Sequence, residues 1–152
     1  MSVRTNRQSR ADPKATFQEE IVELIRALGL HRPDQTPCGQ PISVAEAQAV
    51  LELSRQPGIS QNGLATRLRL EKSTVSRVAS MLERRAWIER SRDTNDARIL
   101  RLRLTPSGLK AAQALAASRE AKFSKVFEAI PPGKRDSVLQ SLALLSQVLN
   151  QE

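Results

Sequence analysis

The sequence has one cysteine, Cys38, and one histidine, His31. A single thiol excludes an intrachain disulfide framework. One thiol and one imidazole are also too few for an all-protein metal site within one chain, so no metal or other cofactor is expected. No apolar run is long enough to span a bilayer, and no membrane partner is expected. The opening stretch MSVRTNRQSRADPK lacks the apolar core of a signal peptide, which makes a cytoplasmic location the expectation. Also missing are a nucleophile placed with a base, metal-ligand spacing and a phosphate-cradling glycine loop, so the chain does not read as an enzyme. Acidic residues are outnumbered, 16 Asp and Glu against 24 Lys and Arg, for a formal charge of +8. That excess favours a polyanion, nucleic acid before a membrane surface, although a merely soluble basic protein would show it too.

The 152 residues are enough for one domain with a real core, or one protomer of an oligomer. The charge is concentrated. Residues 67–103 hold eleven basic and five acidic side chains, so most of the excess sits in a quarter of the chain.

Residues 1–14 are polar and basic, and read either as a disordered tail or as an arm that touches DNA phosphates. Residues 15–40 hold a first helix and a loop. Phe17, Ile21, Leu24, Ile25 and Leu28 follow a helical spacing from Thr16, and Gly29 can end the helix. HRPDQTPCGQPI, with three prolines, is a loop. Ser43 and Glu46 form a capping box for a second helix carrying Ala47, Val50, Leu51 and Leu53. Ser60 caps a short third helix that buries Leu64, Ala65 and Leu68. In the fourth, Val75, Val78, Ala79 and Leu82 make a single apolar stripe. Trp87 to Arg92 and Ile99 to Leu104 read as two strands joined by DTND turn chemistry. In the second strand Leu100, Leu102 and Leu104 fall on one parity, Arg101 and Arg103 on the other. Thr105-Pro106 opens a long helix to about Ile130, PPG stops it, and a last helix carries Val138, Leu142, Leu145 and Leu149.

Two short helices, a tight turn and a fourth helix with Ser73, Thr74, Ser76, Arg77, Ser80 and Arg84 outward make a helix-turn-helix reader. A recognition helix must enter a major groove about 12 Å wide, so short hydroxyl side chains and an arginine able to fork onto guanine suit its face. Short helix pairs with Ser and Thr facing water are also common, and the basic hairpin immediately after the pair tips the balance towards a winged helix. Ser60 and Gln61 at the start of the third helix and Lys72 at the start of the fourth join the expected DNA contacts, because helix N-termini offer free amides to phosphate. On the wing the expected contacts are Arg92, Asn95, Arg98, Arg101 and Arg103. The fold class is mainly α with a small β wing: a winged helix-turn-helix at residues 41–104, flanked by N- and C-terminal dimerisation helices at 15–40 and 105–152.

The run LATRLRLEKSTVSRVASMLERRAWIERSRDTNDARILRLRLTPSGLKAA resembles the MarR family of transcription regulators. KSTVSR resembles that family's recognition-helix start, DTNDAR its D-x-R-D wing motif, and LRLTPSG its wing return. The matching core runs from about Pro41 to Leu115. The resemblance implies a homodimer with first, fifth and sixth helices interleaved, involving Ile21, Leu24, Val138, Leu142, Leu145 and Leu149. It implies a pseudo-palindromic duplex DNA operator, the wing in the minor groove, and a small-molecule or oxidant signal, sensed in a cleft between dimer helices and winged domains, that releases a repressor. The amphipathic last helix supports dimerisation by itself, with packing inside one chain as the alternative. One departure stands out: where the family's motif has arginine, this chain has Asn95, with Ala97 nearby. Asn95 can bond a minor-groove acceptor but cannot exploit a narrow groove's negative potential as arginine does. Arg98 either holds phosphate or pairs with Asp96 or Asp93 and shapes the loop.

Cys38, in a loop beside the expected signal cleft, reads either as a thiol sensor or as a partly buried loop cysteine. His31 reads as a loop residue or as an effector contact. The competing function is an effector-independent, nucleoid-type DNA binder.

Overall fold

The computed structural model describes residues 12–151. The expected basic tail lies, over residues 1–11, outside the described residues. Helix α1 spans Pro13–Leu28, beginning three residues before the apolar spacing predicts. Asp12 caps it by accepting from the Lys14 amide at 3.1 Å, and proline suits its first position. It ends at Gly29, whose φ of 73° closes the left-handed cap.

Helix α2 spans Val44–Arg55, α3 Gln61–Leu68 and α4 Lys72–Arg84. The Ser43–Glu46 capping box forms as the spacing requires: Ser43 Oγ accepts from the Glu46 amide at 3.1 Å, and the Ser43 amide donates back to Glu46 Oε2 at 3.1 Å. Strands β1, Ile88–Arg92, and β2, Leu100–Leu104, pair antiparallel. A short third rung joins them where the Leu102 amide donates to the Ile59 carbonyl at 3.0 Å and Gly58 donates to Leu102 at 2.9 Å. Helix α5, Pro106–Ala129, then runs out from the wing, and α6, Arg135–Leu149, follows a short 3-10 turn at Pro132–Lys134.

The core gathers apolar side chains from α2, α3, α4, β1, β2 and the first half of α5, while α1 and α6 bury none. Val50, Leu53, Leu64, Val75, Leu82 and Leu102 are fully buried, joined by Ile88, Ala112 and Leu115. Each such Val, Leu or Ile side chain contributes about 1.5–3 kcal/mol of burial. Two buried carboxylates clip the helices together. Glu46 accepts from Arg85 Nε at 3.1 Å, fastening the start of α2 to the end of α4, while Arg85 also lies over the Trp87 ring. Glu52 of α2 pairs with Arg67 of α3. A buried carboxylate persists only when paired and bonded in this way.

The junction from α4 through β1 to α5 is tight. Thr105 Oγ1 donates to the Ala86 carbonyl at 2.7 Å, and the Thr105 amide donates to Trp87 at 3.0 Å. A Cβ at Gly108 would stand 1.9 Å from the Trp87 carbonyl oxygen, so only glycine lets α5 approach this closely. By contrast, Phe17, Leu24, Ile25, Phe123, Phe127, Leu142 and Leu149 are exposed apolar side chains on α1, the far half of α5 and α6.

Candidate nucleic-acid interface

The α4 face carries the expected side chains in graded exposure. Lys72, Ser73, Arg77 and Arg84 are exposed, and Thr74, Ser76 and Ser80 are half-buried. Arg77 Nη2 lies 3.5 Å from Thr74 Oγ1 and is otherwise turned to solvent. At the start of α4, Glu71 makes no side-chain cap, so the first-turn amides remain open to an anion. The turn before it places Arg69 at a φ of 54°. This conformation costs a non-glycine residue about 1–2 kcal/mol.

Ser80 has an internal task. Its hydroxyl donates to the Ser76 carbonyl at 3.0 Å and accepts from Arg90 at 2.7 Å. Arg90 also pairs with Glu83 at 3.3 Å, its side chain only 19% exposed. The alternation of β2 gave no reason to single Arg90 out. The strand register does: Arg90 stands opposite Leu102 and Arg92 opposite Leu100, so both lie on the leucine face of the hairpin.

The wing loop is built by its own charges. Asp93 Oδ1 accepts from the amides of Asn95 at 2.9 Å and Asp96 at 3.1 Å, and Oδ2 accepts from Arg101 Nε at 2.8 Å. The Asn95 amide, then Arg101, hold the Asp93 carboxyl below its ordinary range. Arg101 also reaches the Gly58 carbonyl at 3.3 Å, bolting the loop to the segment before α3. Arg92 donates to the Ala97 carbonyl at 2.6 Å and closes the loop from the other side. Arg98 makes a two-pronged pair with Asp96 at 3.0 and 3.1 Å, which lowers the Asp96 carboxyl and raises the Arg98 guanidinium. The Arg98 side chain is nonetheless 91% exposed. Arg103 is exposed and lies over Gly58, where a Cβ would come within 2.9 Å of its guanidinium. Asn95 is exposed at the tip. The wing arginines thus divide: Arg92 and Arg101 shape it, Arg98 is exposed but paired with Asp96, and Arg103 presents its charge outward without a carboxylate partner among the described residues.

Ser60 caps α3, accepting from the Gly63 amide at 2.9 Å. Gln61 is half-buried, its Oε1 buried without a hydrogen-bond partner among the described residues.

Cys38 is half-buried and lines a cavity of about 230 Å³ between the loop before α2, α2 itself and α5. Its Sγ lies 3.1 Å from Thr36 Oγ1. His31 is exposed and is not among the cavity's lining residues. Arg119 and Gln48 line the cavity with Leu115 and Phe123. Sequence reading passed over Arg119, yet a signal exists: Leu115, Arg119 and Phe123 share one helical face at spacings of four, a cation set in an apolar stripe. Of the expected dimer residues, Ile21, Val138 and Leu145 are half-buried and Leu24, Leu142 and Leu149 exposed. No helix among the described residues is long and apolar enough to cross a membrane.

Residues 42–100 match the model of the MarR family. No curated protein matches the sequence significantly. Similar solved structures include FabT of Streptococcus pneumoniae in complex with DNA, at 22% identity and a TM-score of 0.67, covering 91% of this chain and 94% of that one. PcaV of Streptomyces coelicolor in complex with its natural ligand is 20% identical with a TM-score of 0.68, covering 90% and 93%. BpsR of Bordetella bronchiseptica, whose DNA binding is regulated by 6-hydroxynicotinic acid, is 18% identical with a TM-score of 0.68, covering 90% and 94%. These likenesses show a shared winged-helix fold.

Proposed function

Because residues 42–100 match the model of the MarR family, we propose that this chain is a transcription regulator that binds a discrete duplex site as a homodimer. The observation that carries the reading is the α4 face. Ser73 and Arg77 stand free near the open first-turn amides, Arg84 stands free at the far end of the same face, and the wing adds outward Arg103 and, paired with Asp96, the exposed Arg98. The helix enters the major groove, Arg77 reads a base edge, and the wing cations hold flanking phosphates. Asn95 leads the wing tip towards the minor groove, contributing a hydrogen bond where an arginine would add charge.

The exposed apolar side chains of α1, α5 and α6 support dimerisation. Burying what remains exposed of Leu24, Phe123, Phe127, Leu142 and Leu149 would gain about 4–7 kcal/mol per protomer before the entropy of association. Two-fold symmetry then spaces the half-sites about one helical turn apart. The cavity beside Cys38 supports a ligand-relieved repressor over an effector-independent binder. A thiol-sensing variant of this reading rests on Cys38 lying within that cavity, where oxidation would place polar oxygen among apolar side chains.

Selection of bound sites from a random duplex pool, followed by footprinting of the winner, tests the proposal. A discrete palindrome is expected, and uniform coverage would overturn the sequence-specific reading. A Cys38→Ser variant that still releases DNA under peroxide would end the thiol variant.

A further inference from the structure

A groove of about 380 Å³ adjoins the apolar cavity, the two sharing Gln48, Leu51 and Arg119 in their walls. We propose that cavity and groove form one composite site for an amphipathic anion: an acyl or aryl group carried on a phosphorylated head.

Size and charge both point there. At about 230 Å³ the cavity is smaller than the roughly 300–1,000 Å³ of sites that enclose a drug-sized ligand, so it takes only a small apolar group. The groove is its chemical opposite. Arg55, Arg67, Arg69 and Arg119 converge on it with Glu52 as the only carboxylate in its wall. Glu52 answers Arg67 and, at 3.7 Å, Arg55. Arg119, at the junction, has no ion-pair partner among the described residues, and Arg69 is bonded only to the neutral side chain of Asn150. Three guanidinium charges therefore remain uncompensated around a space next to an apolar hole. A lone carboxylate would satisfy Arg119 and leave the rest; a phosphorylated head satisfies several, because guanidinium forks match phosphate oxygens.

The groove also reaches the reading head. Arg69 is the residue of the left-handed turn between α3 and α4, and its bond to Asn150 ties that turn to the end of α6. A phosphate drawn to Arg69 competes with Asn150 and loosens this tie, so occupancy bears on how α4 is held. That effector role rests on the regulator reading; the binding itself does not.

Calorimetry on the full chain with octanoate, coenzyme A, octanoyl-coenzyme A and an octanoyl lysophosphatidate below its micelle concentration tests the proposal. At least one amphiphile is expected to bind about a hundredfold tighter than octanoate or coenzyme A alone, since linking two subsites makes the second contact intramolecular. The thioester binding better identifies a nucleotide carrier, the lysophosphatidate a lipid, and either supports the site. Arg55→Gln, at a side chain 61% exposed whose loss leaves Glu52 paired with Arg67, is expected to weaken the amphiphile about tenfold and leave octanoate unchanged. Neither amphiphile exceeding octanoate, or Arg55→Gln weakening ligand-free DNA binding and nothing else, would overturn it. DNA-site selection on the same protein without ligand separates the two readings: if no discrete site emerges the regulator reading falls, and the calorimetry still decides the ligand site.

Discussion

Replacing Gly108 with alanine adds one methyl group at the tightest point of the fold. An ordinary contact between that carbon and an oxygen needs about 3.4 Å, so a Cβ placed 1.9 Å from the Trp87 carbonyl forces α5 away by about 1.5 Å. Two bonds stretch with it: Thr105 Oγ1 to Ala86 at 2.7 Å and the Thr105 amide to Trp87 at 3.0 Å. Each contributes about 0.5–1.5 kcal/mol. Alanine's better helix propensity returns about 1 kcal/mol. The net expectation is a loss of about 2–3 kcal/mol. Urea unfolding at one fixed protein concentration measures it, the fixed concentration mattering because the proposed dimer would add its own stabilisation. Gly133→Ala is the control, since nothing lies within 4 Å of its added methyl. A Gly108→Ala loss below about 1 kcal/mol would refute the claim that this glycine sets how α5 meets the winged domain.

Other outcomes follow from the site. Arg77→Ala should cost about 1–3 kcal/mol at the selected DNA site and relax preference at one position; equal weakening on all duplexes would make Arg77 a phosphate contact only. Arg103→Gln should lower the salt slope of binding by about one unit, whereas Arg101→Gln, whose guanidinium is spent on Asp93 and Gly58, should weaken binding with the slope unchanged. Titrating the Asn95 amide by NMR should show a wing loop constant from neutral pH down past 3.8, the ordinary Asp value, because a depressed carboxyl gives its stabilisation above the unfolded pKa and loses it only as pH falls through the folded one. A transition near pH 5 would mean that the Asp93 bonds do not hold the loop. Asn95→Arg should tighten binding to sites with A/T-rich flanks, and no gain would mean the tip does not reach the groove.

Local signals carried most of the fold. Ser43 with Glu46, Ser60, and Thr105-Pro106 each start a helix where the chain says, because a cap is made by residues three or four apart. The start of α1 was missed by three residues because apolar spacing begins at Phe17, while the cap, Asp12-Pro13, lies before it. The α4 face was equally legible, since a single helix fixes which side chains share a side.

What the sequence determined by itself was therefore the order and faces of the elements, the leucine parity of β2 and the placing of basic charge beside a reader helix. All of these follow from neighbours along the chain. Tertiary structure alone decided which arginines are free. Arg101 and Arg103 have the same parity and look alike in sequence, yet Arg101 lies 2.8 Å from Asp93, eight residues away along the chain, and Arg103 stays exposed. Arg90 was drawn inward by a register that only pairing with β2 defines. The groove of Arg55, Arg67, Arg69 and Arg119 draws on three helices, and no pattern within one helix could have joined it to the cavity beside Cys38.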